Sequence, residues 1–247
     1  MLKVGLKLWS INTDILDQAF NAVLNDVFQF IELTPIPETE ITPFINPDIS
    51  YIIHMPPDKY GMNLADPSKN NLNNQFLNLC TDWADQLQAR YIIFHPGFGA
   101  HDAVAEFLED LNDERTLLEN MPRYGIHQED MVGYLPEKLG DLMAGKFGFC
   151  FDFSHATKTA ISIGVDFHQF LMDFLPLKPK VIHISDSHLD NDIDEHLNIG
   201  QGEYEWGFLA DCILKCENPL ITLETPRVPG SLEPNIAEAE FIRNLLV

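Results

Sequence analysis

The stretch VIHISDSHLDNDIDEHLNIGQG, residues 181–202, starts as a short apolar strand, delivers His183 near its end, runs through an acidic loop and closes on a glycine-rich turn. Residues at i and i+2 in extended backbone point the same way, so Asp194 and His196 can grip one cation together, while His183 faces another position. Taken alone, the loop reads equally well as a solvated acidic segment with incidental histidines. The rest of the chain decides between the two readings, because its opening unit, a short β-rich run leading into a helix or a loop, recurs. Strands are expected near Val4 to Trp9, Phe28 to Leu33, Tyr51 to His54, Tyr91 to His95, Thr116 to Glu119, Gly148 to Asp152, Val181 to Ile184 and Leu220 to Glu224.

Helical patterns fall between these runs at Asp14 to Asn25, Pro67 to Gln88, Asp102 to Leu111, Pro136 to Ala144, Asp166 to Phe174 and Pro234 to Leu246. Eight strand units with helices between them predict an α/β chain folded as a (β/α)8 TIM barrel rather than an open sheet, with residues 1–247 forming a single domain. Some helices are shortened: TPIPETEITPFINPDI, between Leu33 and Ser50, carries four prolines, so the second helix is trimmed or missing.

The ionisable residues sharpen this picture. The strand ends carry His54, His95, Glu119, Asp152, His183 and Glu224 in turn. A barrel of this kind builds its active site on the C-terminal rim, where successive strand ends converge. One strand-end histidine is ordinarily a satisfied core residue, but six metal-competent side chains at matching positions are not independent accidents, because an apolar strand end has little use for an unpaired carboxylate. His155, just beyond the sixth strand, and the Asp194–His196 pair extend the inventory to five histidines and four carboxylates. Mixed imidazole and carboxylate without thiolate suits zinc, manganese or iron(II), and the number of donors suits two or three ions.

Composition narrows the partners. A formal net charge of −23, from 38 acidic and 15 basic residues, disfavours broad adhesion to nucleic acid or anionic membrane and draws in cations. MLKVGLKLWS does not read as a signal peptide, and no apolar run approaches a membrane span, so a soluble, cytoplasmic protein is expected. Cys80, Cys150, Cys212 and Cys216 show no C-x-x-C spacing, and Cys212 and Cys216, spaced as helix neighbours, read as reduced core thiols.

These residues carry a resemblance to the endonuclease IV group (AP endonuclease family 2) within the xylose isomerase-like TIM barrels. It rests on His54 in IIHMPPDKYGMNLADPS, His95 in FHPG, Glu119 in LLENMPRYG, Asp152 and His155 in CFDFSHA, the HISDS and DEHLNIGQG pieces, and Glu224 in LETP. The resemblance implies a trinuclear zinc site in a phosphodiester hydrolase. Glu119 bridges two ions, with His54 and His95 completing one and Asp152, His183 and Glu224 the other, while His155, Asp194 and His196 hold the third. Glu119, Asp152 and Glu224 are the residues it places closest to catalysis. The implied chemistry is in-line attack on phosphorus by metal-activated water, with no separate side-chain base required.

Departures from the family bear on the substrate. The segments after Leu33 and between His95 and Glu119 are short, TPIPETE lacks Arg and Lys, and Pro57 and Asp58 stand where the family offers an aromatic wedge toward DNA. Together with the charge, these disfavour abasic DNA relative to a smaller phosphate ester. Lys59, Arg123, Lys158 and Arg227 follow the third, fifth, sixth and eighth strands and are expected as a local phosphate-binding rim. The alternative is a sugar isomerase or epimerase of the same superfamily, using one divalent ion on Glu119, Asp152, His183 and Glu224; a binding protein without catalysis is a third reading. Lys7, Trp9 and Glu32 lie near strand ends without an assigned role, and His188 is expected at the surface.

Overall fold

In the computed structural model, which describes residues 2–246, eight strands close into a parallel barrel in chain order. They are β1 (Lys3–Trp9), β2 (Phe30–Thr34), β3 (Tyr51–His54), β4 (Ile92–Phe94), β5 (Thr116–Glu119), β6 (Gly148–Asp152), β7 (Val181–Ile184) and β8 (Leu220–Leu223). The ring shuts where β1 pairs with β8, Lys3 opposite Leu220 and Leu6 opposite Leu223. The helices are α1 (Leu16–Leu24), α2 (Asn70–Gln86), α3 (His101–Glu109), α4 (Pro136–Met143), α5 (Phe153–Ile163), α6 (Phe167–Phe174), α7 (Trp206–Leu214) and α8 (Glu233–Leu245). Between β2 and β3 the proline-rich segment forms only a 3-10 turn, Thr42–Phe44, as its composition predicts.

The period-2 alternation of each strand sorts its residues into two environments. Val4, Leu6, Leu8, Ile31, Leu33, Ile53, Phe94, Leu118, Phe149, Phe151, Ile182 and Ile221 face outward into the main core under the helices. The opposite parity fills the barrel. Its lower layer is apolar, built from Phe30, Ile52, Ile93, Leu117, Cys150, Val181 and Leu220. A Cβ on Gly5 would collide with the Phe30 ring, so glycine lets that ring occupy the floor. One step further along seven of the strands the inward residues become ionisable, Lys7, Glu32, His54, His95, Glu119, Asp152 and His183, while β8 places Thr222 at that level and Glu224 one step beyond it. The floor keeps water away from below, and the ionisable layer faces the C-terminal mouth.

Two helices lie outside the patterns expected from the sequence. In α5 every residue from Phe153 to Ala160 is buried, so the polar face that normally reveals a helix is absent. Asp152 starts it as N-cap, its Oδ1 accepting from His155 N at 2.7 Å, which makes the strand-end carboxylate also the start of the next helix. In α7 the sequence WGFLADCIL is apolar nearly throughout and likewise hides its period. No helix among the described residues is long and apolar enough to cross a membrane.

Candidate metal centre

All nine donors expected from the sequence lie at one mouth, in groups within each of which the ligand atoms sit within 4.8 Å of one another. Three groups matter: His54–His95–Glu119, Glu119–Asp152–His183–Glu224, and His155–Asp194–His196. Glu119, on β5, is fully buried and joins the first two. Its Oε2 is 3.0 Å from His54 Nε2 and 3.1 Å from His95 Nε2, and its Oε1 is 3.1 Å from His183 Nδ1. In the third group Asp194 Oδ2 lies 3.2 Å from His155 Nε2 and 2.8 Å from His196 Nε2.

The hydrogen bonds on the far side of four of the five rings show what these contacts are for. His54 Nδ1 donates to Met55 O at 2.8 Å, His155 Nδ1 to Asn120 O at 2.8 Å, and His196 Nδ1 to the Glu224 carbonyl at 3.0 Å. His183 is reversed: its Nε2 donates to Glu32 Oε2 at 3.0 Å. Each neutral imidazole has a single N–H, so the remaining nitrogen presents a lone pair to a carboxylate oxygen about 3 Å away. Two acceptors face each other stably only with a proton or a cation between them. This is the arrangement of histidines that ligate through one nitrogen while the other is held by the protein, and the donor chemistry fits divalent cations.

Electrostatics agree. Five carboxylates, Glu32, Glu119, Asp152, Asp194 and Glu224, crowd the mouth, with the buried ammonium of Lys7 between Glu32 and Glu224. Without an ion the histidines carry the compensating charge. Burial works against His196, but the Asp194 carboxylate outweighs it and raises its pKa to about 10. His155 and His183 are likewise penalised by burial yet raised well above the usual histidine value, the first by Asp152 and Asp194, the second with Glu224, Glu32 and Glu119 around it. Burial pushes Asp152 up to about 6 against the pull of His155. Glu119 and Asp194 are held well below the ordinary carboxylate range, against burial, by the histidines they face.

The loop after β7 is built to present the third group. Glu195, between Asp194 and His196, accepts from Ser187 Oγ at 2.7 Å, His188 N at 2.9 Å and His188 Nδ1 at 3.0 Å. His196 adopts the left-handed conformation, φ 50°, a strain kept where the ring must be aimed. Asp186 takes the N–H groups of Gly200 at 2.8 Å and Tyr204 at 3.2 Å, and a Cβ at Gly202 would collide with its Oδ1.

The expected basic rim divides. Lys59 and Arg227 line a cavity of about 820 Å³ above the donors, with Trp9, Tyr124 and Met131 among its walls. Lys59 Nζ lies 4.1 Å from the centroid of Trp9, and Arg227 donates to Asn12 Oδ1 at 2.9 Å and to Lys7 O. Arg123 lies over Tyr124 and reaches Ser162 O at 3.4 Å rather than lining the cavity. Lys158 corrects the sequence expectation. It is buried in α5, and its ammonium is consumed by His188 O at 2.6 Å, Asn191 O at 3.1 Å and Glu195 Oε2 at 3.3 Å, so it clamps the loop instead of meeting a ligand. His188 lies at the surface, partly exposed, as expected. Glu32, Lys7, Asn120 and Glu195, unassigned from the sequence, all touch the donors or the segments that carry them.

With a closed parallel barrel and metal-competent strand ends on one rim, comparison with known proteins is decisive for ancestry. The pattern of the xylose isomerase-like TIM barrel family matches residues 41–245. The chain belongs to that family. A probable endonuclease 4 of Mycoplasmopsis synoviae is 28% identical over 199 residues, covering 72% of this chain and 69% of that protein. The solved endonuclease IV from Thermus thermophilus superposes with TM-score 0.74 at 21% identity, covering 99% of this chain and 98% of its own. A D-tagatose 3-epimerase-like protein superposes with TM-score 0.69 at 17% identity, covering 99% and 97%. These structural likenesses establish the fold, and one fold can host more than one chemistry.

Proposed function

We propose that this chain is a zinc-dependent phosphodiester hydrolase of endonuclease IV type, with three zinc ions held by the nine donors, acting on a small phosphate ester in preference to duplex DNA. The observation that carries the reading is the His155–Asp194–His196 group, poised beside the Glu119-centred pair. A one-ion epimerase needs only Glu119, Asp152, His183 and Glu224 and gives no use to a third group. The endonuclease 4 relative supports the same assignment.

Bound zinc ions would supply Lewis acidity and bring the pKa of water near neutrality, to about 7. The chain's own residues do the rest. Glu119, shared by two donor groups, would help hold an ion in each. Lys59 and Arg227, on the cavity wall, offer donors to phosphate oxygens, and Arg227 is pre-oriented by Asn12 and the Lys7 carbonyl. Trp9, Tyr124 and Met131 exclude water from the ester's organic part. The net charge of −23 sets the preference against a polyanionic duplex.

The test compares zinc-loaded protein on bis(4-nitrophenyl) phosphate and on an abasic-site duplex. Chelator-sensitive cleavage of the small ester, with slower cleavage of the duplex, is expected. Epimerisation of a ketose with a single manganese ion and no ester cleavage would overturn the proposal in favour of the isomerase chemistry.

A further inference from the structure

Beneath the central donors lie two buried charged residues, Lys7 and Glu32, that the nine donors do not include. Glu32, on β2, is fully buried at the barrel axis. Its Oε2 accepts from His183 Nε2 at 3.0 Å and from Thr222 Oγ1 at 2.7 Å, while its Oε1 lies 2.8 Å from Lys7 Nζ. Lys7 in turn pairs with Glu224 Oε1. The order in space is therefore Glu224, Lys7, Glu32, His183, with a donor to the central position at each end. We propose that Lys7 and Glu32 form a positioning relay that prepares Glu119, Asp152, His183 and Glu224 for a divalent cation.

The geometry gives each member a task. With His183 Nε2–H committed to Glu32, the bare nitrogen is Nδ1, and it faces Glu119 Oε1 at 3.1 Å, Glu224 Oε2 at 3.5 Å and Asp152 Oδ2 at 3.9 Å. Three other histidines of the centre are held through Nδ1, whereas this ring is held through Nε2, by the Glu32 carboxylate at 3.0 Å with the weaker acceptor Cys150 Sγ at 3.4 Å beside it. Lys7 occupies Glu224 Oε1 and leaves Oε2 turned inward, so Glu224 offers a cation one oxygen rather than two. Glu32 shares a metal-competent group with His54, His183 and Glu224, and the Lys7 ammonium, 2.8 Å from Glu32 Oε1 and paired with Glu224 Oε1, supplies positive charge at that position itself. Partners of this kind are typically worth about 10–100-fold in metal affinity.

The relay rests on the reading that the central position holds a metal, which the hydrolase and epimerase chemistries share. Its test uses the zinc-loaded full chain, with the affinity of each bound ion read by competition with chelators of graded strength. Lys7→Met and Glu32→Gln are expected to weaken one ion about 10–100-fold and leave any others unchanged. In parallel, 15N-histidine NMR of the wild type should show one zinc-bound ring protonated at Nε2, a signal lost or shifted in Glu32→Gln. If either variant fails to fold, Thr222→Val, which removes only the hydroxyl donor to Glu32, should weaken the same ion to a smaller degree. Unchanged or tighter zinc in all variants overturns the relay, as does a higher KM with unaltered metal affinity, which would make Lys7 a substrate contact. A wild-type chain that binds no divalent ion sinks the functional reading together with the relay, whereas normal wild-type binding with unaltered variants sinks the relay alone.

Discussion

Glu119→Gln is the substitution that presses hardest on the arrangement of the centre. Glutamine preserves the side chain's volume in a fully buried site but removes the charge and replaces one acceptor oxygen with an N–H donor. The carboxylate it replaces meets His54, His95 and His183 at 3.0, 3.1 and 3.1 Å, so both of its oxygens are in use and two of the proposed metal positions would lose a donor at once. A charge-assisted contact is worth about 1.5–3 kcal/mol, which corresponds to roughly 10- to 150-fold in affinity for each position. Turnover, needing both positions intact, should fall by about 10³ or more. The assay is zinc content after chelator challenge together with hydrolysis of bis(4-nitrophenyl) phosphate, with circular dichroism to show that the barrel is intact. A folded variant that keeps full zinc and full activity would refute the bridging role.

Three further outcomes follow from the same geometry. Lys158→Met should lower stability by about 1.5–3 kcal/mol by freeing Glu195 and the 188–195 loop, while leaving KM for the ester unaltered; a raised KM without loss of Tm would restore it as a substrate contact. Gly202→Ala should cost about 2 kcal/mol or more and weaken the ion on His155, Asp194 and His196, because its Cβ would collide with Asp186 and Ser187; an unaltered melting curve would show that the turn has another solution. In the metal-free protein His155, His183 and His196 have raised pKa values, so their stabilisation is complete below the unfolded value of 6.5 and is lost as pH rises, for His196 through about 10. Zinc requires the unprotonated rings, so the increase in Tm on adding zinc should grow between about pH 6 and pH 9, and calorimetry showing a flat or falling increment would contradict the histidine assignment.

The barrel is legible in the sequence because its strands are short buried runs bounded by loops, and because the residue after each apolar pair is repeatedly ionisable. His54, Glu119, Asp152 and His183 share one inward parity, so their convergence follows from the period of a strand once the topology is known. That rule also reaches Lys7 and Glu32, two residues beyond Gly5 and Phe30, whose inward parity is available in the sequence but whose partners are not. The pattern of α5 is hidden for the opposite reason: a helix buried on all sides shows no polar face. Lys158 cannot be placed from its own segment, because its partners lie 30, 33 and 37 residues away and two of them are backbone carbonyls, which leave no trace in residue type.

The proposed third metal position separates a phosphodiester hydrolase from a one-ion epimerase, and counting ions tests it directly. Metal analysis of the purified wild type beside His196→Ala should give three zinc ions per chain falling to two, with the Glu119-centred pair retained. One ion in both proteins would contradict the account.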